Sequence, residues 1–406
     1  MTVPKTIIFL GDGMADEPIE QLGGRTPLSA ATTPAMDSIA ADGLNGRLRT
    51  LPEGLPTSSE VANMSVLGCD LPAEYCGRGP LEAAARNIEL SSDSVAFRLN
   101  LTTMEDGILR DYSGGHVKRP DAEELISTLN SAFGSEYVRF YAGVSYRSIL
   151  VLSGTEYSHE VKTEKPDDHQ GDRMEDFLPR AFSAAGERTA EFLCKIMTEA
   201  TGVLEGAGIN KKLKAAGRPP VNGVWPWSGG KIGALRQLHE KYGIKGAVIS
   251  AVDVINGLGR CLGMDVIRVP GATGYVDTDY EGKADAALKA LEKYDFVYLH
   301  LEAIDEVSHE QNLEAKLKAI EDFDSRIVAR VLSSAGRDLR AAVLPDHPVP
   351  LATGKHTREP VPVAVRVPGN KPDSVRCLDE TSCRKGDLGE MTNGDLMRLL
   401  FGPKTA

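Results

Sequence analysis

Thr6-Ile7-Ile8-Phe9-Leu10-Gly11-Asp12-Gly13-Met14 contains a short apolar run that ends at a glycine and an aspartate. A continuous apolar run of this length is typical of a buried strand. Comparable runs lie at residues 243–251, 295–301, 341–344 and 361–367, and segments with helical spacing lie at 284–294 and 313–335. Their alternation predicts parallel βα units and an α/β fold. Prolines interrupt the 361–367 run, so this run is predicted to be an edge strand.

The first strand and the later strands are far apart in the chain, and this gap predicts an inserted domain. We expect a discontinuous domain over residues 1–80 and 236–406 and an inserted domain over residues 81–235. A chain of 406 residues is long enough for both. The insertion is expected to be α+β. Its expected elements are strands within 138–152, helices at 121–133 and 174–200, and a loop or linker at 202–226, which is rich in Gly, Pro and Lys.

The composition excludes several functional classes. A hydrophobic fraction of 41% and a charged fraction of 26% are ordinary for a globular protein. The net charge of -12 argues against a nucleic-acid partner, although metals and a few arginines can still attract a small anion. Neither a signal peptide nor an apolar run of bilayer length is expected, so no membrane partner is predicted. The cysteines form no Cys-x-x-Cys pair, which favours reduced thiols and a cytoplasmic location.

Several carboxylates and imidazoles lie just past the predicted strands, where open α/β sheets place their sites. The candidate metal ligands are Asp12, Asp305, His309, Asp346, His347 and His356. Asp305 and His309 are four residues apart and would share one face of a helix. Taken singly, each piece could be a solvated helix face, a turn or a surface histidine. Together they provide about the ligand set that two divalent ions need. Four other histidines are read as structural or surface residues: His116, His159, His239 and His300.

The turn Pro56-Thr57-Ser58-Ser59-Glu60 supplies a candidate nucleophile at the start of a helix-like segment. A serine at a helix N-terminus is usually a cap, but this position also favours an anionic phosphoserine. Ligation to a metal would lower the pKa of the hydroxyl and make it a useful nucleophile. The residues alone leave the choice among Thr57, Ser58 and Ser59 open.

The order of these pieces resembles the alkaline phosphatase superfamily and, more narrowly, the archaeal-type cofactor-independent phosphoglycerate mutases. The resemblance runs along nearly the whole chain. The matching stretches are 11–16 (GDGMAD), 77–84 (GRGPLEAA), 141–147 (YAGVSYR), 245–253 (KGAVISAVD), 270–275 (PGATGY) and 305–309 (DEVSH). The resemblance implies an alkaline-phosphatase-like, doubly wound, mostly parallel sheet with an inserted α+β domain that grips the substrate.

The resemblance also implies roles for individual residues. Ser59 would be the nucleophile. One metal would be held by Asp305, His309 and His356, and the other by Asp12, Ser59, Asp346 and His347. Substrate binders would be Arg147, Asp167, His169 and Arg260. The implied reaction interconverts 3-phosphoglycerate and 2-phosphoglycerate in glycolysis and gluconeogenesis through a phosphoserine, without 2,3-bisphosphoglycerate. Ligands of this type without thiolate favour Mn²⁺, with Zn²⁺ or Co²⁺ as alternatives.

Two departures from the family pattern bear on the substrate. The mutases typically have Gly-Ser-Asp-Thr-Ala-His around the nucleophile, where this chain has residues 58–63, SSEVAN. Where the mutases carry Arg-Ala-Gly-Arg, this chain has residues 112–116, YSGGH. The arginines that are missing here would have paired with the carboxylate of a substrate. A related subgroup with the Ser-Glu-Val-Ala-Asn pattern has been proposed to act as homoserine kinase, which is the first alternative, although no P-loop is present. A phosphomonoesterase and a non-catalytic metal-binding protein are the others.

Overall fold

The structure is a computed structural model that describes residues 4–232 and 235–402. The chain divides into two compact units. The first comprises Met1–Tyr75 with Ala234–Ala406, and the second comprises Cys76–Gly233. Among the described residues, no helix combines the length and the apolar character that a bilayer crossing requires.

The strands and helices are numbered in chain order through both units. The strands are β1 (Thr6–Gly11), β2 (Leu44–Leu48), β3 (Val95–Glu105), β4 (Ile108–Asp111), β5 (Val138–Val144), β6 (Arg147–Leu152), β7 (Val161–Lys162), β8 (Arg180–Ala181), β9 (Gly223–Gly230), β10 (Gly246–Ile249), β11 (Asp265–Val266), β12 (Phe296–Leu301), β13 (Arg340–Leu344), β14 (Val361–Arg366) and β15 (Gly389–Met391). The α-helices are α1 (Pro27–Ala30), α2 (Pro34–Ala41), α3 (Ser59–Val66), α4 (Leu71–Glu74), α5 (Arg78–Ala85), α6 (Arg119–Phe133), α7 (Glu187–Leu204), α8 (Gly208–Ala215), α9 (Leu238–Tyr242), α10 (Asp253–Cys261), α11 (Tyr280–Lys293), α12 (Ala303–His309), α13 (Leu313–Asp322), α14 (Ala329–Ala335) and α15 (Asp395–Phe401). A π-helical turn, Phe323–Val328, joins α13 to α14.

The first unit is built on a sheet that has, among the described residues, eight strands in the order β11-β10-β12-β1-β13-β14-β2-β15. The pairs from β11 to β13 are all parallel. Ile7 and Phe9 of β1 pack in a core with residues of α2, α11 and α13, and the alternate residues Ile8 and Leu10 are equally buried. Both faces of the central strands are therefore covered, as in doubly wound α/β proteins. The predicted mostly parallel α/β fold is confirmed.

The prediction that residues 361–367 form an edge strand is wrong. Strand β14 lies inside the sheet, antiparallel to both β13 and β2. Its pairing with β13 begins only at Ala364, whereas Pro362 is paired with Arg47 of β2 alone. Proline lacks the N–H that a second neighbour would need, and the short overlap with β13 removes that need.

The second unit is an antiparallel sheet covered by helices. Strand β3 pairs with β4, β6 and β9, and β6 also pairs with β5. The core lies between this sheet and helices α6, α7 and α8. Apolar residues of β3 such as Leu99 and Leu101 face that core. Because β3 alternates, Arg98 and Asn100 lie on the other face.

Two expectations for the second unit are wrong. Residues 202–226 are not a linker, since they contain the end of α7, the helix α8 and the start of β9. Trp225, in β9, is 1% exposed, so burial of a large aromatic ring overrides the Gly, Pro and Lys composition around it. Residues 174–200 are not helical throughout, because they begin with the 3₁₀ turn Met174–Phe177 and α7 begins only at Glu187.

Candidate active site

The carboxyl ends of three adjacent parallel strands position most of the candidate ligands. Strands β12, β1 and β13 are neighbours in the sheet, and each is followed by candidate ligands. Asp12 follows β1, helix α12 with Asp305 follows β12, and Asp346 with His347 follows β13. All four side chains are buried. The sheet therefore gathers residues from distant parts of the chain at one edge.

Asp305, His309 and His356 form the first group of candidate ligands. His309 Nε2 lies 3.2 Å from Asp305 Oδ2 and 3.0 Å from His356 Nε2. His356 Nε2 also lies 3.5 Å from Asp305 Oδ1. His309 Nδ1 donates to the carbonyl oxygen of Gly354 at 2.8 Å, which aims Nε2 at the other two residues. The helical spacing predicted for Asp305 and His309 is present in α12.

Asp12, Asp346, His347 and Ser59 form the second group. His347 Nε2 lies 3.3 Å from Asp12 Oδ1 and 3.4 Å from Asp346 Oδ2. The Ser59 hydroxyl oxygen lies 3.3 Å from the same Nε2. Ser59 is the first residue of α3, and Ser58 precedes the helix in an extended conformation. Of the serines left open by the sequence, the structure therefore places Ser59 against the candidate ligands.

The two groups are joined through His347. The imidazole ring of His347 stacks on that of His356 with centroids 3.8 Å apart. Ligand atoms of Asp305, His347 and His356 lie within 4.8 Å of one another, and so do those of Asp12, Asp346 and His347. The distances thus bring all the predicted metal ligands into one cluster, and they leave the division between two ions as a proposal.

Sequence reasoning missed residues that support this cluster. The Asn63 side-chain amide donates to Asp346 Oδ2 and to the Ser59 carbonyl oxygen, both at 2.8 Å, and it accepts from the Tyr298 hydroxyl. His300, read from the sequence as structural or surface, is buried with Nε2 3.0 Å from Asp12 Oδ2. The signal for Tyr298 and His300 was available, because they are the polar positions in the apolar strand FVYLHL.

Glu302 is a further residue that the sequence reasoning missed. Its Oε2 lies 3.8 Å from His300 Nε2, and it forms a compact group with Asp12 and His300. Burial raises the pKa of Glu302 to about 8, with a further contribution from the charge of Asp305. Glu302 directly follows β12, so its position past a strand end was a readable signal.

The charge of the cluster fits bound cations. Burial, together with the charges of Asp346 and Glu302, raises the pKa of Asp12 well above its ordinary value. Burial likewise raises the pKa of Asp346 to about 6. Burial also opposes ionisation of Asp305, but the adjacent imidazoles of His309 and His356 outweigh it and lower its pKa. Crowded, desolvated carboxylates of this kind call for a positive charge among them.

Unsatisfied polar atoms give a second reason why cations fit. Asp12 Oδ1, Asp305 Oδ1 and Glu302 Oε2 are buried without a hydrogen-bond partner among the described residues. Such orphaned acceptors are uncommon in folded proteins and require an explanation. Oxygen and imidazole nitrogen atoms are suitable ligands for Mn²⁺, Zn²⁺ or Co²⁺, and a bound ion would satisfy them.

The predicted substrate binders do not all belong to the same unit. Arg147, Asp167 and His169 lie in the second unit, whereas Arg260 lies in the first, on α10. The Arg147 guanidinium lies 5.3 Å from the centre of the Tyr146 ring. The His169 ring stacks on Phe177 at 3.7 Å, and Asp167 shares its 3₁₀ turn. Their roles toward a substrate stay predictions.

Comparisons with known proteins agree with this geometry. The family model described as "Metalloenzyme superfamily" matches residues 4–403. The chain is 48% identical to the 2,3-bisphosphoglycerate-independent phosphoglycerate mutase of Methanosarcina acetivorans over 400 residues, covering 98% of this chain and 99% of that protein. It is 45% identical over 405 residues to a probable mutase of the same name from Geobacter sulfurreducens, covering 98% and 99%.

Comparison with solved structures also gives matches over nearly the full length of the chain. The cofactor-independent phosphoglycerate mutase of Thermoplasma acidophilum superposes with a TM-score of 0.69 at 29% identity, covering 98% of each chain. A protein of Pyrococcus horikoshii superposes with a TM-score of 0.83 at 26% identity, covering 98% of this chain and 97% of its own. The similarity in sequence and in structure thus extends over 98% of the chain.

Proposed function

Since the chain belongs to the archaeal-type 2,3-bisphosphoglycerate-independent phosphoglycerate mutases, isomerases of the metalloenzyme superfamily, we propose that it interconverts 3-phosphoglycerate and 2-phosphoglycerate through a phosphoserine on Ser59. The observation that carries the proposal is the 3.3 Å distance between the Ser59 hydroxyl and His347 within the ligand cluster. A serine at that position is next to the groups that would activate it.

The proposal includes two divalent ions, with Mn²⁺ favoured over Zn²⁺ or Co²⁺, and no 2,3-bisphosphoglycerate. Their proposed ligands are Asp305, His309 and His356 for one ion, and Asp12, Ser59, Asp346 and His347 for the other. Ions bound there would supply the Lewis acidity that lowers the pKa of a serine hydroxyl and offsets the charge of the phosphoryl group. The orphaned oxygens of Asp12 and Asp305 support this assignment.

The proposed reaction has two transfers. In the first, the Ser59 hydroxyl loses its proton and its oxygen attacks phosphorus, the bond from phosphorus to the 3-oxygen of glycerate breaks, and that oxygen takes up a proton. In the second, the 2-hydroxyl loses its proton and attacks the phosphoserine, the bond from phosphorus to Ser59 breaks, and the Ser59 oxygen takes up a proton. Backbone N–H groups at the start of α3 favour the phosphoserine anion between the steps.

We further propose that Arg147, Asp167, His169 and Arg260 bind the glycerate part, with arginine pairing with its carboxylate. The first unit would then supply the metal-binding phosphatase-like chemistry, and the second would supply most of the substrate contacts. A cytoplasmic location is part of the proposal. It is supported by the six cysteines, Cys69, Cys76, Cys194, Cys261, Cys377 and Cys383, which form no disulfide among the described residues.

The test is ³¹P NMR of the Mn²⁺-loaded protein with 3-phosphoglycerate. We expect the 2-phosphoglycerate resonance to grow without free phosphate, because the phosphoryl group is retained on the enzyme. Release of free phosphate alone would establish a phosphatase. An unchanged spectrum, with metal confirmed in the protein, would overturn the mutase proposal, and homoserine with ATP would then be the next substrate pair.

A further inference from the structure

A row of polar side chains crosses three adjacent strands beside the ligand cluster. Strands β10, β12 and β1 are parallel neighbours, with Ile249 opposite Leu299 and His300 opposite Leu10. This register places Ser250, which follows β10, next to His300. It also places His300 next to the end of β1, where Asp12 follows. The sheet itself therefore aligns Ser250, His300 and Asp12.

Hydrogen bonds connect Ser250 to His300 and His300 to Asp12. The Ser250 hydroxyl oxygen accepts from the backbone N–H of Val252 at 3.0 Å and lies 3.2 Å from His300 Nδ1. Its own hydrogen is then available to Nδ1, which acts as the acceptor. An ionised Asp12 carboxylate can only accept a hydrogen bond, so the ring proton is assigned to Nε2, which then donates to Asp12 Oδ2 across 3.0 Å.

This connection orients the Asp12 carboxylate. With Oδ2 engaged by His300, the other oxygen, Oδ1, faces His347 at 3.3 Å and has no hydrogen-bond partner among the described residues. Outer hydrogen bonds of this kind orient metal ligands and set their affinity. We propose that His300 is a positioning residue that holds Asp12 Oδ1 toward the ligand cluster, and that Ser250 sets the tautomer of His300. The inference rests on the metal centre of the proposed function.

The alternative to a positioning role is that His300 is itself a metal ligand. Ligand atoms of Asp12, His300 and Glu302 lie within 4.8 Å of one another, which is close enough for an additional ion. The Lys283 ammonium group argues against this role, because it is fully buried and donates to the His300 carbonyl oxygen at 3.3 Å. The positive charge of Lys283 lies beside the group formed by Asp12, His300 and Glu302, so this group has less need of a third metal ion.

The experiment titrates Mn²⁺ into metal-free protein by calorimetry, for the wild type and for His300→Gln, His300→Leu and Ser250→Ala. We expect two ions in the wild type, and an affinity for one of them that falls about 10–100-fold in His300→Leu. His300→Gln should recover most of that loss, because its amide N–H₂ can replace the Nε2–H donor to Asp12. His159→Leu, at an exposed histidine of the second unit, is the matched control.

A spectroscopic readout separates positioning from a general loss of fold. ¹⁵N–¹H NMR of the Zn²⁺-loaded wild type should show His300 protonated on Nε2, and Ser250→Ala should shift ring protons toward Nδ1. Ser250→Ala keeps the imidazole, so it tests the proposal even if His300→Leu fails to fold.

Three results would overturn the inference. Unchanged affinity for both ions in His300→Leu would remove the positioning role and leave the proposed function intact. Three ions in the wild type, with the third lost in both His300→Leu and His300→Gln, would make His300 a ligand. Failure of the wild type to bind Mn²⁺ would overturn the metal centre of the proposed function and this inference with it.

Discussion

At the scale of the residue, two adjacent serines have opposite expected roles. Ser59 contacts His347, whereas the Ser58 side chain makes no capping hydrogen bond to α3. Ser59→Ala should abolish phosphoryl transfer because no oxygen remains to carry the phosphoryl group. Metal content should stay nearly unchanged, because the carboxylates and imidazoles remain. ³¹P NMR measures phosphoryl transfer, and elemental analysis of the loaded protein measures the metal content.

Ser58→Ala is the matched control, and it should keep most of the activity. Full activity in Ser59→Ala would remove the phosphoserine route. Loss of activity in Ser58→Ala alone would move the nucleophile by one residue.

A second prediction at this scale concerns Asn63, whose side-chain nitrogen donates two hydrogen bonds and whose side-chain oxygen accepts one. Tyr298→Phe removes the hydroxyl that donates to Asn63 Oδ1 and leaves a buried acceptor unpaired. The expected cost is about 1–3 kcal/mol in the free energy of unfolding. Thermal unfolding followed by circular dichroism should therefore show a lower Tm. Tyr275→Phe, whose hydroxyl contacts the exposed Glu310, should change the free energy by less than about 0.5 kcal/mol. Equal effects of the two substitutions would contradict this reading of Asn63.

A third prediction concerns Glu82, a buried carboxylate that pairs with Arg98 and Arg78 in the second unit. Burial opposes its charge, but the positive charges of Arg98 and Arg78 outweigh burial and lower the pKa of Glu82 to about 2. Burial lowers the pKa of Arg98 to about 10, so the guanidinium stays charged at neutral pH. Glu82→Gln leaves that charge uncompensated and should cost about 3–5 kcal/mol at pH 7.

The pH dependence of the Glu82 effect follows from its lowered pKa. The ordinary carboxyl value is 4.5, so the stabilisation is complete above that pH and is lost as the pH falls toward 2. The difference between wild type and Glu82→Gln should therefore shrink below pH 4.5. Denaturant unfolding followed by tryptophan fluorescence measures it. Glu105→Gln, which breaks an exposed pair with Arg110, should have little effect at any pH. A difference that stays constant down to pH 3 would contradict the assignment.

At the scale of the element, the turn after β1 allows the backbone to approach α12 closely. Gly13 has φ +62°, and a Cβ there would lie 2.9 Å from the Asp305 Cα and 2.7 Å from its Oδ1. Gly13→Ala should displace Asp305, weaken Mn²⁺ binding and lower stability. Gly24→Ala is the control, since it has φ +80° and open space, and it should cost only about 1–2 kcal/mol of backbone strain. Calorimetry would contradict the argument if both variants bound Mn²⁺ equally well.

Elements with a strong local pattern were predictable from the sequence. Strands β1, β12 and β13 are buried on both faces, so each appears as a continuous apolar run that the sequence shows directly. Strand β9, with the sequence GVWPWSGG, has no such run, and its strand character comes from pairing with β3. Long-range pairing of that kind leaves little local signal.

The residues of the candidate site likewise divide into those that the sequence predicts and those that it does not. Asp12, Asp305 and Asp346 follow predictable strands, so their positions could be inferred from the chain. His300 and Glu302 stand out as polar residues in and just past β12, but their partners could not be assigned, because the register of β12 against β1 and β10 sets those partners. Register is a tertiary property, and a single sequence does not specify it outside a hairpin.

At the scale of the whole molecule, every candidate metal ligand belongs to the first unit, and both tryptophans belong to the second. Ions that bind only the folded state stabilise it by about 2.7 kcal/mol at a hundred times their Kd. Removal of metal with EDTA should therefore lower the stability of the first unit selectively. Each unit has its own core, so the second should unfold at nearly the same denaturant concentration.

Two readouts separate the units in that experiment. Hydrogen exchange followed by mass spectrometry should become faster in peptides that span the ends of β1, β12 and β13 after EDTA treatment, and added Mn²⁺ should reverse the change. The fluorescence of Trp225 and Trp227, in β9, should report an unchanged unfolding midpoint. Ser59→Ala is the matched variant, because it keeps the carboxylates and imidazoles and should show the same selectivity. A fluorescence midpoint that fell as far as the stability of the first unit would mean that the units unfold together, since metal bound in one would then stabilise both.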